Sequence, residues 1–332
     1  MSTRLVPVLA VAASLVFGAA LHAQAQSGRF AAPRTPWGDP DLQGSYSNKD
    51  ENGTPFERPA DLAGKSMSDF GEKEMAALRK TRQARAQAGA GRIGGSEEED
   101  TGAGPSHWYE HLDANNAQPW LVFEPADGQI PALTKDARDR AAARQAARRG
   151  RGPADSWTDR SLYDRCITRG IPGSMMPAIY GNAYDITQGP GFVAIRYEMI
   201  HETRIIPLGN HSHVGGHIQL DMGDARGRWD GDTLVVETTN FKDRSVYRNA
   251  DAATLKLTER FTRIASDRVK WEVTVDDAST WTRPWTFSMP LTLNDGEPLM
   301  PYECHEGNYG LKNILSAARA DEKAGVAPTE ER

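Results

Sequence analysis

Groups able to transfer protons crowd into one nine-residue window near the end of the sequence. Residues 302–310 read Tyr-Glu-Cys-His-Glu-Gly-Asn-Tyr-Gly and contain Cys304, one of only two cysteines. The other cysteine, Cys166, lies in a second polar segment, Arg-Cys-Ile-Thr-Arg-Gly-Ile-Pro-Gly. A Cys166–Cys304 disulfide would join two polar loops, and we expect a functional site where they meet. A structural disulfide with polar neighbours is the alternative interpretation.

A second window, residues 197–204, reads Tyr-Glu-Met-Ile-His-Glu-Thr-Arg. A neutral histidine with a pKa of about 6.5 can abstract a proton, and arginine can neutralise the negative charge that develops. We therefore expect His201 to act as the base and Arg204 as the anion stabiliser. The expected acid is Glu259, His305 or Glu306. No second histidine follows at the spacing of a zinc-protease helix.

From Ala183 onward, apolar and polar residues alternate with a period of two. Residues 268–276 alternate cleanly, with valines and Trp271 on one face and charged or polar residues on the other. Similar runs separated by Gly, Pro, Asp or Asn turns predict a mainly β fold. We expect an antiparallel β-barrel-like domain over residues 161–317, because closure removes exposed strand edges. The predicted strands cover residues 192–200, 203–208, 233–240, 254–264, 268–276 and 285–293.

Polar side chains on the inward faces of these strands are the candidate catalytic groups. Glu259 follows Leu255 and Leu257 on one face, where an apolar residue is expected. His201 continues the face of Tyr197 if its strand extends that far. An unpaired buried charge is costly, so such residues are paired, solvated or functional. A buried ion pair with an arginine is the alternative for Glu259, and a backbone-bonded histidine at the strand end is the alternative for His201.

Other side chains provide candidate contacts to a ligand or a metal ion. The expected substrate contacts are Tyr197, Arg196, Tyr302, Tyr309 and Trp285. His211, His213 and His217 are close enough in sequence to supply three nitrogens to a divalent metal ion, and exposed loop histidines are the alternative. We expect no other cofactor.

The segment before the predicted barrel, residues 26–160, is an irregular N-terminal arm. It is rich in proline and contains a flexible acidic stretch between residues 86 and 105. Helices are predicted at residues 68–87 and at 134–149, the second capped by Thr134. Residues 42–47 form a candidate strand that could close the barrel. A polar tail is expected over residues 318–332.

The first 25 residues are typical of a secretory signal peptide, with a positive start, an apolar run and a small-residue cleavage site. We expect a periplasmic or extracellular protein with no transmembrane segment after cleavage. Disulfides persist in such compartments, and a bridge closing a long loop is worth roughly 4–5 kcal/mol at most. The net charge of −6 argues against a nucleic-acid partner. The sequence assigns no oligomeric state.

Several strings resemble a family of secreted bacterial proteins to which no activity is assigned. They include Gly-Arg-Trp-Asp-Gly-Asp-Thr-Leu-Val-Val at residues 227–236 and Cys-His-Glu-Gly-Asn-Tyr-Gly at residues 304–310. The resemblance covers nearly all of the chain after the signal peptide and implies secretion. Gly44-Ser45-Tyr46 is also similar to the Gly-x-Trp that opens lipocalin-type barrels, with tyrosine in place of tryptophan.

The function expected from these features is acid–base catalysis by a lyase or hydrolase on a small glycosidic or aromatic molecule. Two alternatives remain open. One is a lipocalin-like protein that binds a small molecule inside the barrel. The other is a metal-binding protein that uses the histidines at 211–217. Convergent titratable groups in a pocket would favour the enzyme, whereas a continuous apolar lumen would favour the binding protein.

Overall fold

The alternating residues after Ala183 form β-strands, as predicted. The computed structural model describes residues 30–93, 115–178, 180–297 and 299–325. The predicted signal peptide and most of the acidic stretch lie outside these ranges. The described strands are β1 (Gly44–Ser47), β2 (Val122–Glu124), β3 (Ala183–Gly189), β4 (Phe192–Tyr197), β5 (Thr203–Pro207), β6 (Asp224–Asp230), β7 (Thr233–Thr239), β8 (Lys256–Ala265), β9 (Arg268–Asp276) and β10 (Trp285–Leu293).

Nine of these strands form one antiparallel sheet that curls into a nearly closed barrel, which confirms the predicted fold class. Their order is β5-β4-β3-β1-β10-β9-β8-β7-β6, and β2 pairs with β10 beside this path. The ends of the path meet at a parallel bridge between Leu208 and Gly227. A Cβ at Gly227 would lie 2.7 Å from Leu208 Cδ2, so glycine permits this close approach.

Strand β1 joins the two halves of the barrel. The predicted strand at residues 42–47 is therefore present, and its position is central in the sheet. Tyr46 pairs with Tyr184 of β3 on one side and with Leu293 of β10 on the other. Because β1 and β2 both precede residue 160, the N-terminal arm contributes two strands to the sheet.

Large side chains fill the interior of the barrel. On β9 the predicted inward residues are Val269, Trp271, Val273 and Val275, and all four are fully buried. They share the core with Phe261 and the other inward residues of β8. Burying side chains of this size is worth about 1.5–3 kcal/mol each, so the filled interior stabilises the fold.

Three helices lie outside the sheet in the part of the chain that the structure describes: α1 (Glu72–Ile93), α2 (Lys135–Ala147) and α3 (Gly310–Ala324). At the start of α2 the Thr134 hydroxyl accepts a hydrogen bond from the Ala137 N–H at 3.1 Å, as predicted. Helix α3 was not predicted, and it includes residues 318–324 of the expected tail. None of the described helices combines the length and apolar character needed to cross a membrane.

Candidate functional site

A disulfide joins the two polar segments that the sequence singled out. Cys166 and Cys304 are bonded, with their Cα atoms 5.7 Å apart, as predicted. Beside the bridge, the Asn308 side-chain amide donates a hydrogen bond to the Cys304 carbonyl at 2.8 Å. The disulfide thus fixes the segment before α3 against the loop that precedes β3.

Three tyrosines meet next to this disulfide. The Tyr163 hydroxyl lies 3.3 Å from the hydroxyls of both Tyr180 and Tyr302. Burial raises the pKa of Tyr163, and its hydrogen bonds with the two other phenols raise it further. Burial also raises the pKa of Tyr302. Tyr163 and Tyr302 are therefore protonated at neutral pH and can donate hydrogen bonds.

The three phenols lie on the wall of a cleft made of two adjoining hollows of about 660 and 390 Å³. Both hollows are lined by Tyr180 and Met199, so they adjoin, and we call the two together the tyrosine cleft. Leu162 and Val246 add apolar walls to the larger hollow. The cleft lies outside the filled barrel, beside the Cys166–Cys304 bridge.

Two arginines line the larger hollow, and their surroundings differ. Arg244 donates two hydrogen bonds to the Asp221 carboxylate, at 2.8 and 2.7 Å, and Lys242 pairs with the same carboxylate at 3.2 Å, so Arg244 is held in an ion-pair cluster. The guanidinium of Arg169 lies 5.6 Å from the centre of the Tyr163 ring. Within the described ranges, the Arg169 side chain has no ion-pair or hydrogen-bond partner. Its positive charge is available to a ligand.

A half-buried carboxyl group lies behind the cleft wall. The hydroxyl of Thr168, a residue that lines the larger hollow, donates a hydrogen bond to Glu202 Oε2 at 2.8 Å. Burial raises the pKa of Glu202 even though this hydrogen bond lowers it. The group is next to the predicted base His201 in sequence, and it holds its proton more tightly than an exposed glutamate.

His201 does not enter the barrel. Strand β4 ends at Tyr197, and the chain then turns through positive φ angles of 62° at Ile200 and 54° at His201. The imidazole is exposed, and its Nε2 accepts a hydrogen bond from the Tyr302 N–H at 2.5 Å. The predicted continuation of β4 to residue 200 is therefore wrong, and His201 positions a tyrosine of the cleft.

The buried charge of Glu259 is matched by Arg204, which was the alternative interpretation. Arg204 donates to the two Glu259 oxygens at 2.5 and 3.1 Å, and the indole N–H of Trp271 donates to the carboxylate at 3.1 Å. Burial alone would lower the pKa of Arg204, but the adjacent Glu259 carboxylate raises it. The ion pair is sealed in the core, so Glu259 and His201 do not share the interior that we expected.

Of the other expected substrate contacts, only Tyr302 lines the cleft. Tyr197 is buried against Tyr184, with ring centres 6.1 Å apart, and Trp285 is a fully buried core residue. The remaining candidate side chains are exposed at the surface. Arg196 lies on the outer face of β4, and the other three lie in the segment after Cys304. These exposed residues are Arg196, His305, Glu306 and Tyr309.

The three histidines at 211–217 do not converge. His213 Nδ1 lies 2.8 Å from an Asp224 carboxylate oxygen, whereas His211 and His217 are exposed. Across the described ranges, no group of three or more His, Cys, Asp or Glu side chains is arranged to hold a metal ion. The three histidines therefore do not form the metal site that the sequence offered as an alternative.

The residues that build the cleft were mostly missed. Tyr163 and Arg169 stand three positions on either side of Cys166, so the disulfide signal pointed to them. Tyr180 and Met199 carried no signal, because apolar or aromatic residues at such positions are usually core. As built, the cleft can accept a ring, donate a hydrogen bond and attract an anion. No family model, curated protein or solved structure matches this chain.

Proposed function

We propose that this protein binds a small, ring-bearing molecule in the tyrosine cleft. The observation that carries the proposal is the meeting of Tyr163, Tyr180 and Tyr302 where two hollows of about 660 and 390 Å³ adjoin. Small-molecule sites typically have volumes of about 300–1,000 Å³, apolar walls and a few convergent polar groups. The cleft has all three properties.

The hydrogen-bonding capacity of the phenols supports this proposal. Each of the three hydroxyls has one proton, and two protons are used in the bonds between them. One O–H is therefore left to donate to a ligand. The rings and the Met199 thioether offer an apolar surface against which a flat ring can pack.

The filled barrel supports a site outside it. A lipocalin-like protein would hold its ligand among inward side chains, where this chain places Trp271, Phe261 and the Arg204–Glu259 pair. Removing such side chains from their packing would cost several kcal/mol. We therefore propose binding at the cleft rather than in a lumen.

An acid–base enzyme of the lyase or hydrolase type is the second candidate. It is favoured by the Tyr163 hydroxyl at the cleft wall and by the Glu202 carboxyl behind it, whose pKa is raised by burial, because both are groups that can transfer protons. On this hypothesis Tyr163 is the acid at the cleft wall. His201 then acts only by positioning Tyr302.

Calorimetric titration with aryl glycosides, hydroxylated aromatic acids and uronate sugars tests the binding proposal. Tyr163→Phe removes the central hydroxyl and should weaken binding about 5- to 30-fold, the effect of losing a hydrogen bond worth about 1–2 kcal/mol. Tyr309→Phe is the matched control, because Tyr309 is exposed and outside the cleft. Equal affinity in the two variants would contradict the proposal.

Product analysis with the same compounds separates the two candidates. If the protein is an enzyme, Tyr163→Phe should lower turnover by roughly 10²–10⁴-fold, as expected for a lost general acid. If the protein only binds these compounds, they remain chemically unchanged, and Tyr163→Phe alters only the binding affinity.

We also propose that the chain is exported. The Cys166–Cys304 disulfide supports this, because disulfides persist in oxidising compartments and are rare in the cytosol. Fractionation of expressing cells should recover the protein outside the cytosol and without its first 25 residues. A full-length cytosolic protein with two alkylatable thiols would contradict export.

A further inference from the structure

We infer that the ligand of the tyrosine cleft is an aromatic carboxylate whose charged group binds Arg169. This inference rests on the proposed function and adds the chemical class of the ligand. It starts from the charges in the cleft. The guanidinium of Arg244 is held by the Asp221 carboxylate, which Lys242 shares, while no described side chain pairs with Arg169. The larger hollow is therefore left with an unmatched positive charge.

The position of Arg169 suits a carboxylate. Its guanidinium lies over the Tyr163 ring, 5.6 Å from the ring centre, and the residue is half-buried. A guanidinium held over a ring by its charge keeps N–H donors free for another partner. Those donors match the two oxygens of a carboxylate in a bidentate arrangement. Burial raises the pKa of the Tyr302 phenol, and the positive charge of Arg169 acts against that rise.

The walls of the cleft favour an aromatic ring over a sugar ring. Leu162, Val246 and Met199 offer no hydrogen bonds from their side chains. Of the hydroxyls in the larger hollow, Thr168 already donates to Glu202 and Ser245 to the Lys242 carbonyl, which leaves Ser161 and one O–H of the three phenols. A sugar acid has several hydroxyls that need partners, and burying unpaired hydroxyls is costly. A hydroxylated aromatic acid has one carboxylate for Arg169 and one hydroxyl for the phenols.

The test compares 4-hydroxybenzoate and 4-hydroxycinnamate with their methyl esters and with glucuronate, using calorimetric titration of the full protein. Esters keep the ring and hydroxyl but lose the charge. The informative variant is Arg169→Gln, and Arg169→Lys keeps the charge while losing the paired donors. Arg165→Gln is the matched control, because Arg165 lies in the same loop and over a ring, Trp157, at 4.6 Å, but does not line the hollow.

We expect at least one of the two acids to bind, its ester to bind at least about 10-fold more weakly, and Arg169→Gln to lower acid affinity about 10- to 100-fold. Arg165→Gln should bind as the wild type does, and Arg169→Lys should fall between. Ester binding should be the same in wild type and Arg169→Gln.

Two results would overturn the inference and leave the proposed function standing. One is equal binding of acid and ester in wild type and both Arg169 variants. The other is tighter binding of glucuronate than of either aromatic acid. Failure of every ring-bearing compound to bind would overturn both proposals. The melting temperature of each variant is measured first. If Arg169→Gln does not fold, the inference is tested by comparing wild type with Arg169→Lys and the acid with its ester.

Discussion

The imidazole Nε2 of His201 accepts the backbone N–H of Tyr302 at 2.5 Å, across a sequence separation of 101 residues. This bond links the turn after β4 to the segment that the disulfide holds. The turn itself needs two residues with positive φ, Ile200 and His201, a conformation that costs free energy in non-glycine residues. The contact therefore connects a strained turn to a phenol of the cleft.

Removing the His201 side chain should disturb Tyr302 without unfolding the barrel. His201→Ala leaves the Tyr302 N–H without its partner, and we expect ligand affinity to fall about 3- to 10-fold, in line with a hydrogen bond of about 1 kcal/mol. His305→Ala removes an exposed imidazole from the same surface and should have no effect. Calorimetric titration of the two variants with the same ligand checks this. Equal losses in both would show that the His201 contact has no special role.

The disulfide should stabilise both the fold and the cleft. It joins residues 138 positions apart, and on the chain-entropy model such a link is worth up to roughly 4–5 kcal/mol. The Cys166→Ser, Cys304→Ser double variant should therefore show a lower free energy of unfolding in urea and weaker ligand binding. A reducing agent should produce the same changes in wild type and none in the double variant. Unchanged stability of reduced wild type would contradict this prediction.

The Arg204–Glu259 pair should be essential as a pair and replaceable as a unit. Glu259→Gln leaves the buried Arg204 charge without its counter-charge, which should cost about 3–5 kcal/mol. The Arg204→Met, Glu259→Leu double variant should recover most of that loss. Asp230→Asn breaks the exposed pair with Arg260 nearby and should cost less than about 1 kcal/mol. Urea unfolding checks all three, and a single Glu259 substitution as mild as Asp230→Asn would contradict the account.

The sequence predicted those strands whose own residues alternate between apolar and polar, and it missed strands that depend on their neighbours. Strand β9 was predicted with its observed ends, because its alternation is unbroken from Arg268 to Asp276. Strand β6 was missed because its sequence, Asp-Ala-Arg-Gly-Arg-Trp-Asp, lacks an apolar alternation. Strand β6 forms because it pairs with β7 along its length and is bridged to Leu208 where the barrel closes.

The tyrosine cleft lies beside the disulfide that the sequence predicted, but most of the residues that line it were not predicted. The two cysteines identified the place where distant segments meet. Glu259 was correctly placed on an inward face, yet its distance from His201 depended on where β4 ends. The turn at Ile200 breaks the alternation that the prediction assumed. Tyr163, Tyr180 and Tyr302 are brought together only by the tertiary fold, so no local pattern could have joined them.

The buried carboxyl of Glu51 should make stability depend on pH. Burial raises its pKa from 4.5 to about 7, although the Ala117 N–H and the Thr54 hydroxyl favour its charged form. Because the folded state binds this proton more tightly than the unfolded state, its stabilising contribution is present below the unfolded pKa. That contribution is lost as the pH rises through about 7.

Glu51→Gln should remove this loss, because its amide oxygen can still accept from the Ala117 N–H while its NH2 group donates to the Thr54 hydroxyl oxygen. Its free energy of unfolding at about pH 8, relative to that at about pH 5, should exceed the wild-type difference by up to roughly 3 kcal/mol. The exposed Glu303→Gln serves as the control and should follow the wild type. Urea unfolding at the two pH values measures the effect, and a Glu51→Gln profile parallel to wild type would contradict the prediction.

The most direct test of the tyrosine cleft observes Met199, whose side chain lines both hollows. The nine methionines of the chain can be labelled with ¹³C at their methyl groups, and the Met199 signal identified by its loss in Met199→Leu. Titration with 4-hydroxycinnamate should shift the Met199 signal in a saturable manner and leave that of Met289, fully buried in the barrel, unchanged. A Met199 signal that stays fixed up to millimolar ligand, or a shift confined to Met289, would contradict the proposed site.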